Sequence, residues 1–120
     1  MPPAQNKLPE LKTEFADLNE KGAFVNSLIG VCTKAMTDAD NLFSQFQFPE
    51  SESEYICSID GFMHLMKITS DDANFQNFCK QKLSYLLDKA EKCKRNILTS
   101  LKSKKVGGFY DMNDNPDTLN

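Results

Sequence analysis

Hydrophobic residues recur along this chain at steps of three and four, and no segment sustains the alternation of a strand. Between about Glu20 and Phe46, the residues Phe24, Leu28, Cys32, Ala35, Ala39, Leu42, Phe43 and Phe46 share one face of a helix, with Asn19 as its expected N-cap. Pro49 then interrupts the pattern, and Ser51-Glu52-Ser53-Glu54 has the form of a capping box opening a second helix over 52–69. Ile59, Phe62, Met63 and Met66 are its expected buried stripe, with Tyr55 at the entry. Thr69-Ser70-Asp71-Asp72 reads as a turn that also caps a third helix over 72–104. Phe75, Cys79, Leu86, Ala90, Cys93 and Ile97 form the stripe of that helix, and Gly107-Gly108 must end it. Three long helices joined by short turns predict an all-α fold, an antiparallel three-helix bundle.

The bundle proper is expected over 19–105. Residues 1–18 hold Pro2, Pro3, Pro9 and a short Leu8-Leu11-Phe15-Leu18 pattern, which predicts either a linker or a short extra N-terminal helix packed on the bundle. Residues 106–120 are polar, contain Asp114-Asn115-Pro116-Asp117, and are expected to form a flexible tail.

Composition narrows the class of protein. A chain of 120 residues with 40% hydrophobic content can bury one core but not two. No run approaches the roughly 18 apolar residues of a membrane span, and Met1 to Lys7 lacks the apolar stretch of a secretory signal. The formal charge of -3 is mild, but its distribution is not. Residues 89–105 hold Lys89, Lys92, Lys94, Arg95, Lys102, Lys104 and Lys105 against Glu91 alone, a local charge of +6. Cations toward a helix C-terminus complement its dipole. The same cluster is also suited to acidic peptides or to weak contact with an anionic membrane. Nucleic acid fits less well, because one cation of the seven is Arg and no aromatics are interleaved with them.

Catalytic and metal chemistry find little support. Cys32, Cys57, Cys79 and Cys93 form no CxxC pair, and the only histidine, His64, stands apart from them, so neither metal nor cofactor is expected. Buried free thiols in a reducing compartment are the expected state of the cysteines. Phosphate-binding loops, zinc-protease and nucleophile-elbow motifs are absent, and the carboxylate pairs Asp38/Asp40 and Asp71/Asp72 sit near expected helix ends. A non-enzymatic role follows.

On the third helix, Leu83, Leu87 and Leu98 form a second apolar line beside the core stripe, with Glu91 and Lys94 between them. Such a line edged by charges suits an amphipathic partner helix, and it equally suits wider burial or a cover supplied by residues 8–18.

Lys82-Leu83-Ser84-Tyr85-Leu86-Leu87-Asp88-Lys89-Ala90-Glu91-Lys92-Cys93-Lys94 resembles the K-x-x-x-Y-L-x-R-A-E-x-L-K signature of MIT (microtubule interacting and trafficking) domains. Ala90, Glu91 and Lys94 match, Lys89 stands for Arg, Cys93 for Leu, and Leu86 for the Tyr, with Tyr85 one place early. Upstream and without a gap, Tyr55, Phe62-Met63-His64 and Lys67 resemble the family's second helix and Lys34-Ala35 its first. The likeness spans Val25 to Leu98 and departs at Ser44–Ser53, a longer and Phe-rich connection. Glu54 also stands before Tyr55 where the family has a small residue.

The resemblance implies a cytoplasmic, monomeric adaptor that binds C-terminal tails of ESCRT-III subunits and recruits its parent protein to endosomal membranes in vesicle trafficking. It implies a peptide-binding groove in which Leu87 is the anchor, Leu83 extends the apolar floor, and Glu91 takes a cation of the incoming helix. Lys82 and Lys94 would pair with ligand carboxylates at its edges. A second family mode seats an extended, proline-containing peptide between the first and third helices. From a different class, a secreted helical-bundle factor of cytokine or effector type, stapled by two disulfides, is the alternative.

Overall fold

The computed structural model describes residues 5–108, with side chains through Lys102. Three helices account for most of it: α1 (Leu18–Ser44), α2 (Phe48–Ile68) and α3 (Ala73–Gly108). Of the expected tail 106–120, residues 106–108 continue α3, past the end expected at Gly107-Gly108, and Phe109 onward lies outside the described residues.

Local chemistry sets the ends. Asp17, in extended backbone, caps α1: its carboxylate accepts from the Glu20 backbone N–H at 2.8 Å. Glu20 reaches back to the Ala16 N–H at 2.6 Å, so the reciprocal cap lies two residues before the expected Asn19. α2 starts at Phe48, upstream of the expected box. Pro49 sits in its first turn, where a missing N–H removes no helical bond. Ser51 and Glu54 are instead spent on tertiary contacts. The Ser51 hydroxyl donates to the Ala39 carbonyl at 2.8 Å, and the Glu54 carboxylate accepts from Asn6. At α3, Asp72 caps the Phe75 N–H at 3.0 Å, as the turn sequence predicts.

The connection after α1 is a Schellman turn. Gln47 N–H bonds the Leu42 carbonyl and Phe46 N–H the Phe43 carbonyl, each at 3.0 Å. The residue that must turn left-handed in this motif is Phe46, at φ 62. The predicted core stripe therefore loses Phe46, which is 79% exposed. The helix stops two residues short of it, and the turn aims it outward.

The helices run antiparallel. Along α1 and α2, Ser51 meets Ala39, the Ser58 hydroxyl donates to the Cys32 carbonyl at 2.9 Å, and the His64 ring lies against Phe24. Along α2 and α3, Cys93 meets Ser51, Phe62 meets Phe78, and the Gln76 amide donates to the Met66 carbonyl at 2.8 Å. The α1–α2 seam is made of Ala35, Ala39, Ser51, Ser58 and Gly61, all buried, so the two backbones approach closely. Leu28, Cys32, Tyr55, Phe62, Leu65, Cys79, Leu86 and Cys93 are fully buried and hold the core, each large side chain contributing about 1.5–3 kcal/mol. All four cysteines carry free thiols. Burial pushes that of Cys32 up to about 12, which makes it an inert packing group. Among the described residues, no helix is long and apolar enough to cross a membrane.

Residues 5–15 are neither a helix nor a free linker. Asn6 donates through its side-chain amide to Asp38 and Glu54, both at 2.8 Å, and the Lys12 carbonyl accepts from His64 Nε2 at 2.6 Å. From Glu54 to His64 is about 15 Å of helix, whereas six residues wound as a helix would cover only about 9 Å. The segment must therefore run nearly extended, along the valley between α1 and α2. Leu8 packs onto the core beside Gly61, and Phe15 stacks at 5.4 Å on Phe24. Glu54, almost fully buried, has its charge met by this strap. Asp38 is held below the usual carboxylate range, first by Lys34 at 2.8 Å and then by Asn6. The strap also explains His64: as a carbonyl only accepts, Nε2 carries the proton, and the ring ties the strap to α2.

Candidate functional site: an open valley between α2 and α3

Two sides of α3 flank its core stripe, and they differ in character. Tyr85 and Lys89 face α1. The Tyr85 hydroxyl donates to Asp40 Oδ1 at 2.9 Å, and Lys89 Nζ stands 3.7 Å from the centre of the Phe43 ring. Tyr55 donates to the same oxygen of Asp40. Burial and the Asp40 carboxylate push the Tyr85 phenol up to about 12 and that of Tyr55 further, so both remain protonated donors at neutral pH. A cleft of about 340 Å³ on this side is lined by Met36, Asp40, Gln81, Lys82 and Tyr85.

Leu87 stands two residues from both Tyr85 and Lys89, about 200° around the helix, so it looks away from α1. There it is 57% exposed. Leu83, one turn earlier, is half-buried against the core, and Glu91, one turn later, is exposed. On α2 the residues facing α1 are Ser58 and Gly61. By the same 200° offset, Ile56 and Met63 point the other way. They are 44% and 58% exposed. The pairings of Cys93 with Ser51 and of Gln76 with Met66 put Ile56 level with Leu87, and Met63 in the turns beside Leu83. Ile56, Met63, Leu83 and Leu87 thus line one apolar valley, with Glu91 and Lys94 at its far end.

Of the residues predicted to form a groove, Leu83, Leu87, Glu91 and Lys94 share this face, but Lys82 does not. Lys82 sits about 140° from Leu87 and reaches over the Phe78 ring at 5.5 Å, on the α1 side. It cannot edge the same ligand. Ile56 and Met63 are the wall that sequence reasoning missed. Met63 was expected in the core and Ile56 had no assignment, although their spacing of seven places them on one face.

The valley can hold an apolar stripe and select its charge. No group of three or more metal-binding side chains exists among the described residues. No family model, curated protein or solved structure matches the chain.

Proposed function

We propose that this chain is a non-enzymatic interaction module that takes an amphipathic helix into the α2–α3 valley, and that the helix is the C-terminal tail of an ESCRT-III subunit. The single observation carrying this reading is the exposure of Leu87 beside Ile56 and Met63. The resemblance of residues 82–94 to the MIT signature supplies the partner. In this reading the module works in the cytoplasm and brings its parent protein to endosomal membranes. Buried apolar anchors would carry most of the affinity, while Glu91 and Lys94 set register and encounter rate at the rim.

The test is Leu87→Asp. No core contact is lost, so helical signal and melting stay close to wild type. Affinity for a panel of ESCRT-III tail peptides falls by about tenfold or more, equivalent to about 1.4 kcal/mol. Glu91→Lys weakens the same peptides, and reversing the matching charge on the peptide restores part of the loss. A folded Leu87→Asp chain that binds every tail as tightly as wild type ends this assignment.

A further inference from the structure

α3 is much longer than the bundle it belongs to. Its pairing with α2 places Phe48, the first residue of α2, about level with Lys94. From Leu98 to Gly108 the helix therefore runs on past the start of α2 for roughly 15 Å, with no other described element beside it, and the long axis of the molecule is 63 Å. On this overhang Leu98 and Leu101 are 57% and 56% exposed. They stand three residues apart on one side, with Lys94 between them around the helix and Lys102 at the edge. No acidic residue occurs between Lys92 and Gly108, and none of the ion pairs among the described residues involves Lys94, Arg95 or Lys102.

The turn at this same end of the bundle carries Phe46. A large aromatic residue in left-handed backbone, turned out to water, is the opposite of what a turn selects for stability.

We propose that this end of the molecule docks on an anionic membrane surface. Lys94, Arg95 and Lys102 meet lipid headgroups, while Leu98, Leu101 and Phe46 enter the boundary of the acyl chains. Apolar residues edged by lysines are the pattern of an interfacial helix, whose cations extend to the headgroups while their stems lie along the apolar surface. The charge distribution orients the approach. Residues 89–105 carry +6, so a negative surface attracts this segment. A nucleic acid would use the cations but not the leucines. A second copy of the overhang would bring like charges together along its whole length.

Co-sedimentation of the full chain with vesicles tests this directly. The chain is expected to pellet with phosphatidylcholine vesicles containing phosphatidylserine, not with phosphatidylcholine alone, and to be released by salt. Leu98→Asp with Leu101→Asp, and separately Arg95→Glu with Lys102→Glu, each weaken binding by about tenfold or more with helical signal retained. Phe46→Gly weakens vesicle binding while raising the melting temperature, a pairing that a purely structural role would not give. Equal binding to neutral vesicles, or retention of binding by both sets of variants, overturns the proposal. So does binding to single-stranded RNA that matches the anionic vesicles in strength and ignores the leucine substitutions. Self-association through Leu98 and Leu101, seen by sedimentation equilibrium, overturns it in favour of a dimer.

Discussion

Phe46 and Gly61 hold places that a simple propensity rule would fill the other way round. Phe46 supplies the left-handed residue of a Schellman turn, where an L side chain costs about 1–2 kcal/mol relative to a permissive one. Against this stand its edge contact with Phe48 at 6.1 Å and the extra unfolded-state freedom a glycine brings. Phe46→Gly is therefore expected to stabilise the chain by up to about 1 kcal/mol in urea titration. Gly61 has ordinary helical backbone and is needed for space alone. A β-carbon there would collide with the Cys32 sulfur and press on Leu8. Cys32 is wholly buried and cannot move aside, so Gly61→Ala should lower stability by about 1–3 kcal/mol, measured the same way. Neither role is visible in sequence, because a helical glycine and an apolar residue on a helical stripe both look ordinary until the neighbouring helix is in place.

At the scale of elements, the helices were legible and their ends were not. Periodicity alone placed Leu28, Cys32, Phe62, Leu86, Ala90 and Cys93 in the core, because each recurs with the pitch of its helix. The start of α2 was misplaced for a specific reason. Ser51 and Glu54 have the chemistry of a cap, but their oxygens are taken by Ala39 and Asn6, partners far off in sequence. Residues 5–15 were read as a linker or a short helix, because Leu8, Leu11 and Phe15 stand at helical spacing, whereas an extended strap takes its order from the valley it fills. Its anchor is Asn6, the side chain that answers the buried Glu54 carboxylate. Asn6→Ala removes the shorter partner of the Glu54 carboxylate and keeps the Asn6 backbone N–H at 3.3 Å, so it should cost about 1 kcal/mol. Faster amide hydrogen exchange in the Leu8 to Phe15 segment would accompany it, while α3 exchanges as before. An unchanged exchange pattern would mean that Leu8 and Phe15 alone hold the strap.

Across the whole molecule, three helices make three valleys, and the chain treats each differently. Between α1 and α2 lies the strap. Between α1 and α3, Asp40 gathers two tyrosine hydroxyls and Lys89 covers Phe43. Between α2 and α3, apolar side chains stand open. Half of that last valley was legible: Leu83, Leu87, Glu91 and Lys94 share a side of one helix, and a single helix carries that information. The other wall was not, because which flank of α3 receives α1 depends on the hand of the bundle, a property no single helix encodes. That Lys82 lies on the α1 flank was hidden on the same account. The strap has a practical bearing on how this protein is handled. A fragment cut to begin at α1 would keep every helix yet expose Leu28 and Gly61 and strand the Glu54 charge in a dry seam. The smallest piece worth expressing begins before Asn6, and an affinity tag belongs at the other terminus or well ahead of that residue.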